Sequence, residues 1–108
     1  MAKLEKMLYD DFNRIIGRIE AEILSGSSSA SLEDTRDFVD GDARCSVRVF
    51  ERYSAFGGNR VSLSVTLFQN GNGPIHLSAI TAGGSQAMFF KINTVGEEAF
   101  LDKLREIL

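Results

Sequence analysis

The spacing of apolar residues in the first part of the chain is that of an amphipathic helix. Between residues 3 and 24 they recur at intervals of three and four, and charged residues fill most of the remaining positions. The apolar positions are Leu4, Leu8, Phe12, Ile15, Ile16, Ile19 and Ile23. A run of serine and glycine at residues 25–29 follows. The pattern therefore predicts an N-terminal helix over residues 3–24.

After this helix the pattern changes to short runs rich in β-branched and aromatic residues. Turn-forming residues separate the runs at Asp40-Gly41, Gly57-Gly58-Asn59, Asn70-Gly71 and Gly83-Gly84. This punctuation predicts five strands, over residues 29–39, 43–53, 60–69, 75–82 and 85–93. Because every connection is short, we expect an antiparallel meander. Gly83-Gly84 is then a hairpin turn, since phosphate-binding glycine loops precede a helix and this pair precedes a strand pattern.

The last segment predicts a second helix. Thr94 and Glu97 have the spacing of a capping box, and Leu101 and Leu104 follow on one helical side. Two amphipathic helices flanking one sheet are best buried on the same face of it. We therefore expect a single α+β domain over residues 1–108, with two layers and the order α-β-β-β-β-β-α. In this arrangement the five-stranded sheet packs both helices on one face and leaves the other face open.

Strand alternation assigns a mainly polar set of side chains to the open face, together with some large apolar ones. The expected apolar members are Phe50, Phe68, Ile80 and Phe89. Single exposed hydrophobic residues are common on solvated sheets, but a contiguous apolar patch usually marks an interface. We expect this patch to form a homodimer interface.

A second group of candidate residues surrounds the glycine-containing loop after the second predicted strand. Arg52, Tyr53, Asn59 and Arg60 combine guanidinium groups, an aromatic ring and an amide, which suit a carboxylate or phosphate ligand. The same residues commonly form a salt-bridged loop, in which Arg60 or Tyr53 is the partner of Glu51. The sequence leaves both interpretations open.

Residues with catalytic or metal-binding chemistry are sparse. His76 is the only histidine and Cys45 the only cysteine, so we predict no metal site, no cofactor and no catalytic residue. A lone cysteine excludes an internal disulfide, and within a strand it is most often a small buried hydrophobic residue. An enzyme that uses Glu51, Tyr53, Arg60 or His76 is the least favoured hypothesis.

Composition narrows the classes of partner. The chain has 108 residues, 44% of them hydrophobic, and a net charge of −3 with its basic residues scattered, which is unlike a nucleic-acid-binding protein. The sequence contains no apolar run approaching the roughly 18 residues of a membrane span. Charged residues interrupt the N-terminus from the third position, unlike a signal peptide. We therefore expect a cytoplasmic protein with no nucleic-acid or membrane partner.

Three motifs in the strand region resemble a family of small uncharacterised bacterial proteins. They are residues 49–53 (VFERY), residues 58–63 (GNRVSL) and residues 82–86 (AGGSQ), the last followed by Phe89-Phe90. The resemblance implies a bacterial cytosolic origin and no particular activity.

The sequence thus favours a non-enzymatic cytosolic binding or interaction module, homodimeric through the open sheet face. The alternative is a sensor or carrier of a small anionic ligand, with a pocket between helix and sheet.

Overall fold

The computed structural model describes residues 2–53, 60–83, 101, 102, 104–106 and 108. The elements, in chain order, are β1 (Ala2–Leu8), α1 (Phe12–Ser25), β2 (Ser31–Asp40), β3 (Ala43–Tyr53), β4 (Arg60–Asn70) and β5 (Ile75–Gly83). Residues 101, 102 and 104–106 are helical and belong to a C-terminal helix. The α+β class, with a five-stranded antiparallel sheet and two helices, is confirmed.

The N-terminus is a strand, so the predicted helix over residues 3–24 is wrong in its first part. Leu4 and Leu8 are four residues apart, a spacing that keeps side chains on one side of either a strand or a helix. The helix begins only after Asp11, whose side-chain Oδ1 accepts a hydrogen bond from the backbone N–H of Arg14 at 2.9 Å. This N-cap satisfies one of the free N–H groups at the start of α1. The element order is therefore β-α-β-β-β-β followed by the C-terminal helix.

The strand order in the sheet is β1-β5-β4-β3-β2. Strands β2 to β5 form the expected meander, and β1 joins it beside β5 with Leu4 opposite Ala79. The hydroxyl of Thr81 fixes the start of β1, accepting from Ala2 N at 3.1 Å and donating to Ala2 O at 3.3 Å. The predicted strand over residues 85–93 and Gly84 of its turn lie outside the described residues. The edge of β5 that the prediction gave to that strand is occupied by β1.

The turn between β2 and β3 lies one residue later than predicted. Asp40 pairs with Ala43, so the turn residues are Gly41 and Asp42. Gly41 has a φ of 58°, a conformation that a residue with a Cβ adopts only at a cost in energy. A turn at Asp40 and Gly41 would have paired Asp37 with Arg44. The observed turn instead places Asp37 opposite Ser46.

The hydrophobic core lies between the sheet and the two helices. Helix α1 contributes Phe12, Ile15, Ile16, Ile19 and Ile23, and the C-terminal helix contributes Leu101 and Leu104. The sheet contributes Phe50, Val61, Leu63, Val65, Leu67, Ile75, Leu77 and Ala79 from its three central strands and Ala2 from β1. Lys6 Nζ also donates to the backbone oxygen of Leu108 at 3.1 Å, which ties β1 to the end of the chain. One sheet face is therefore covered by helices, and the opposite face is called the open face below.

The orientation of β3 is the reverse of the predicted one. Phe50 pairs with Leu63, and paired residues of neighbouring strands point to the same side of a sheet. Phe50 is accordingly fully buried in the core, and Arg48 and Arg52 share its helix-facing side. The expectation that Phe50 belongs to the open face is wrong. The apolar residues Val47 and Val49, which suggested the opposite phase, face outward.

A charged cluster occupies the helix-facing side where β2 and β3 meet α1. Arg48 donates from Nε to Glu20 Oε2 at 2.6 Å and from one Nη to Asp37 Oδ1 at 3.0 Å. Ser46 also donates to Asp37, at 2.6 Å. Burial acts to lower the pKa of Arg48, but its bonds to Glu20 and Asp37 outweigh burial, and the pKa lies above its ordinary value. The guanidinium is thus held in its charged form beneath α1.

Candidate interaction surface

The open face carries a row of side chains that crosses all five strands. The pairing of the strands aligns these residues, because each pairs with the next across the sheet. The row, called the cross-strand band below, consists of Met7, His76, Phe68, Cys45 and Phe38. Its members are apolar or aromatic from one edge of the sheet to the other.

Large side chains of the cross-strand band are well exposed. Phe38 is 58% exposed, Met7 53% and Phe68 42%. The rings of Phe68 and His76 are neighbours, with centroids 6.3 Å apart. A shallow depression of about 450 Å³ lies at the β1 end of the band, between Met7, His76 and Phe68. The band is therefore a row of mainly apolar and aromatic side chains, three of them well exposed, with a depression at one end.

Two further rows run parallel to the band and share one charge pattern. The nearer row consists of Glu5, Ser78, Thr66, Val47 and Arg36, and the next consists of Lys3, Ile80, Ser64, Val49 and Asp34. In both rows the charged residues occupy the edge strands β1 and β2, and the three central positions are uncharged. Charge at the rim around an uncharged centre is typical of protein interfaces.

The structure places two of the predicted interface residues on this surface. Phe68 lies in the band, and Ile80, 38% exposed, lies two rows away. Phe50 is in the core, and Phe89 lies outside the described residues. Met7 was missed because β1 was taken for a helix. Phe38 stands among charged residues in β2, so the sequence gives little indication that it belongs to an apolar surface.

Of the predicted ligand-binding residues, the three that the structure describes lie on opposite faces of the sheet. Tyr53 and Arg60 pair with each other on the open face, whereas Arg52 lies on the helix-facing side opposite Val61. Burial lowers the pKa of Arg52 below its ordinary value. Asn59 lies outside the described residues. The sheet therefore separates the two arginines that were expected to hold a single anion.

Arg60 is engaged by acidic and aromatic neighbours. Its Nε donates to Glu51 Oε1 at 2.7 Å, and an Nη lies 3.8 Å from a carboxylate oxygen of Glu33. Its guanidinium carbon lies 5.1 Å from the centre of the Tyr53 ring. The hydrogen bond with Glu51, followed by that with Tyr53, raises the pKa of Arg60. An anionic ligand would have to displace Glu51, so the geometry favours the salt-bridged loop.

Neither His76 nor Cys45 is part of a metal site in the described part of the chain. No group of three or more His, Cys, Asp or Glu side chains in those ranges is arranged to hold a metal ion. Cys45 lies on the open face between Phe68 and Phe38, and is only partly buried. The expectation of a buried cysteine is wrong, because β3 has the opposite phase.

Comparison with known proteins gives a family but no activity. The model of a family of unknown function, DUF6054, matches residues 1–108. The chain belongs to the DUF6054 family. The predicted resemblance to a family of uncharacterised proteins is thereby confirmed. No curated protein and no solved structure matches the sequence.

Evidence for the function of this DUF6054 protein therefore comes from its own surface. Among the described residues, no helix combines the length and the apolar character needed to cross a bilayer. Within the described ranges, the exposed apolar side chains of the open face are not explained by the packing of the core.

Proposed function

We propose that this DUF6054 protein is a non-enzymatic cytoplasmic interaction module that forms a homodimer through the open face of its sheet. The observation that carries the proposal is the cross-strand band, which exposes Met7, Phe68 and Phe38 in one line. Contiguous exposed apolar surface on a soluble protein usually marks a contact with another molecule. A second copy offers the same surface, and most soluble homo-oligomers are dimers that use one patch twice.

The edges of the sheet are less suited to association than its face. Strand β2 carries Asp34, Arg36 and Asp40 along its exposed length, and its pairing with β3 is irregular between Leu32 and Asp34. Strand β1 carries Lys3, Glu5 and Lys6. Charged side chains and irregular pairing are devices that prevent sheet edges from joining. The open face has no comparable protection at its centre, where the band contains no lysine, arginine, aspartate or glutamate.

The size of the apolar surface agrees with this proposal. Association costs about 4–15 kcal/mol in lost freedom, and complete burial of one large apolar side chain contributes about 1.5–3 kcal/mol. Phe38, Met7 and Phe68 are each about half exposed, so each contributes roughly half of that amount. In a two-fold dimer each of these side chains is buried on both copies. One such residue would not offset that cost, whereas the band and its neighbours Ile80, Val47 and Val49 together contribute a free energy of the same order as the cost.

Sedimentation velocity over the micromolar concentration range tests the proposal. We expect the unmodified chain to sediment as a dimer and Phe68→Glu to sediment as a monomer, because the new carboxylate would be buried at the centre of the interface. Tyr9→Glu is the matched control, since Tyr9 is 80% exposed and precedes α1, outside the sheet. It should remain dimeric. A monomeric unmodified chain throughout the range would contradict the proposal.

Native mass spectrometry of the same sample separates the proposal from the alternative of a small-ligand carrier. The depression beside His76 lies on the open face and not between helix and sheet, where a ligand pocket was expected from the sequence. Its volume of about 450 Å³ is within the range of ligand pockets. A dimer at the mass of two unmodified chains supports the interaction module. A monomer that retains a small molecule, lost on replacing His76 with a bulky side chain, would instead support the carrier.

A further inference from the structure

We infer that the two copies are related by a two-fold axis that runs parallel to the strands along β4. This inference rests on the proposed function, because it specifies how the two open faces meet. In the strand order β1-β5-β4-β3-β2, β4 is central. Rotation about an axis along β4 therefore places β1 of one copy over β2 of its partner, and β5 over β3. Positions in the same cross-strand row then meet one another.

Charge complementarity is the main support for this axis. In the nearer charged row, Glu5 on β1 meets the partner's Arg36 on β2. In the next row, Lys3 on β1 meets the partner's Asp34. Within these two rows the signs alternate along both edges, so that each edge charge meets its opposite. Arg60, at the far end of β4, would lie near its counterpart on the partner, but it is already paired with Glu51. Because the axis is two-fold, each of these pairs forms twice.

The apolar residues are matched by the same rotation. Met7 meets the partner's Phe38, and His76 meets the partner's Cys45. Phe68 lies on the axis and meets the same residue of the partner. The other axial positions of these rows are Ser64 and Thr66, whose small side chains permit the separation of about 10 Å that packed sheets adopt. The uncharged centre is thus buried against itself.

A two-fold axis perpendicular to the strands gives a poorer match. Centred on the row of Glu5, it would place Glu5 against the partner's Glu5 and Arg36 against the partner's Arg36. It would also bring Phe38 against the partner's Asp34. Like charges that face each other and a carboxylate on an aromatic ring both disfavour association. Centred on the cross-strand band, the perpendicular axis would leave the row of Ile80 unpaired. Centred between the two charged rows, it would pair Glu5 with the partner's Lys3 but would set Phe68 against the partner's Ser62 and Cys45 against the partner's Glu51.

The twist of the sheets is compatible with the parallel axis. Aligned sheets pack with their strands inclined by about 30°, which displaces the edge strands relative to one another along their length. The residues at those edges are Lys3, Glu5, Asp34 and Arg36. Lysine and arginine side chains are long and flexible enough to absorb this displacement.

Charge reversal tests the axis by measuring the dimer dissociation constant at low ionic strength. Lys3→Glu should weaken the dimer about three- to thirty-fold, because two exposed ion pairs become two repulsions. Asp34→Lys should have a similar effect. The double variant K3E/D34K restores the opposite charges and should return to within about threefold of the unmodified chain. Arg18→Glu on the exposed side of α1 changes the net charge as Lys3→Glu does and should leave the constant unchanged.

The outcomes distinguish this inference from the proposed function on which it rests. If the unmodified chain is dimeric, Phe68→Glu is monomeric and the double variant is no tighter than the singles, the axis is wrong and the interaction module stands. If the unmodified chain is monomeric, both fail.

Chemical cross-linking gives a second, independent readout of the axis. In a Cys45→Ser background, a mixture of Lys3→Cys and Asp34→Cys chains should form a cross-linked heterodimer with a short bismaleimide, and neither chain alone should form a homodimer. A cross-linked homodimer of the Lys3→Cys chain would overturn the parallel axis.

Discussion

Arg48 of β3 donates from its Nε to Glu20 of α1 at 2.6 Å, and this pair joins the sheet to the helix that covers it. The Arg48 side chain is only 9% exposed, whereas that of Glu20 is 33% exposed. Asp37, on the edge strand β2, is the third member of this cluster, and its Oδ1 lies 3.0 Å from an Nη of Arg48. Removal of a carboxylate therefore leaves a mostly buried cation with fewer partners, which is more costly than the loss of an exposed ion pair.

We predict that Glu20→Ala lowers the free energy of unfolding by about 1–3 kcal/mol, because the buried guanidinium loses a charged acceptor. Alanine favours helix, so reduced helix propensity cannot account for a loss. Urea unfolding monitored by circular dichroism measures the effect. Glu22→Ala, two residues further along the same helix, is the control and should change stability by less than about 0.5 kcal/mol. Equal losses in the two variants would show that the Arg48 contact contributes nothing.

The pH dependence of stability should include a contribution from Asp37. Its hydrogen bond with Ser46, together with that from Arg48, lowers the pKa of Asp37 below its ordinary value. The stabilisation is therefore fully present above the pKa of the unfolded chain, about 3.9, and is lost as the pH falls through the lower folded-state pKa.

Asp37→Asn lacks this titration, so its deficit relative to the unmodified chain should be larger at pH 7 than at pH 3. Thermal unfolding at the two pH values measures the difference. Asp40→Asn, at the exposed end of the same strand, is the control. A deficit of Asp37→Asn that grows on acidification would contradict the assignment.

Substitution of two phenylalanines tests which face of the sheet each occupies. Phe50 is fully buried, so Phe50→Ala should cost about 3–5 kcal/mol of unfolding free energy. Phe68 is 42% exposed, and Phe68→Ala should cost less than about 1 kcal/mol when measured at a protein concentration below the dimer dissociation constant. Denaturant titration of both variants gives the comparison. A larger loss of unfolding free energy for Phe68→Ala than for Phe50→Ala would indicate that β3 has the orientation expected from the sequence, with Phe50 on the open face.

Two glycines should respond in opposite directions to replacement by alanine. A Cβ at Gly17 in α1 would have no atom within 4 Å, so Gly17→Ala should stabilise the protein by about 0.5–1 kcal/mol. Gly41 has a φ of 58° in the hairpin turn, and Gly41→Ala should destabilise it by about 1–2 kcal/mol. Melting temperatures distinguish the two, and a stabilising Gly41→Ala would show that the turn has another geometry.

The meander was predictable because several strands have one clear alternation. Val61, Leu63, Val65 and Leu67 are apolar at every second position, and all are fully buried. The N-terminal strand was not predictable, since Leu4 and Leu8 satisfy both helical and strand periodicity. The only local indication was Asp11, a preferred N-cap residue within the supposed helix.

The residues of the candidate interaction surface were predicted only in part because Arg48 occupies a core-facing position. A strand with Val47 and Val49 on one side and Arg48 on the other is expected to turn the valines inward. The partners that make the opposite orientation possible, Glu20 and Asp37, are 28 and 11 residues away in the sequence. Local alternation contains no information about such contacts. The assignment of Phe50 was wrong for this reason.

The position of β1 in the sheet also determines the order in which the protein can fold. The backbone of Ala2 is bonded to Thr81, 79 residues away, whereas β2 to β5 each pair with a neighbour in the sequence. Closing so long a loop is entropically expensive until the local hairpins have shortened it. Strand β1 precedes the other strands of this sheet in the sequence but pairs only with β5, so we expect it to be among the last to reach its place. A growing chain cannot complete this sheet before β5 has been synthesised.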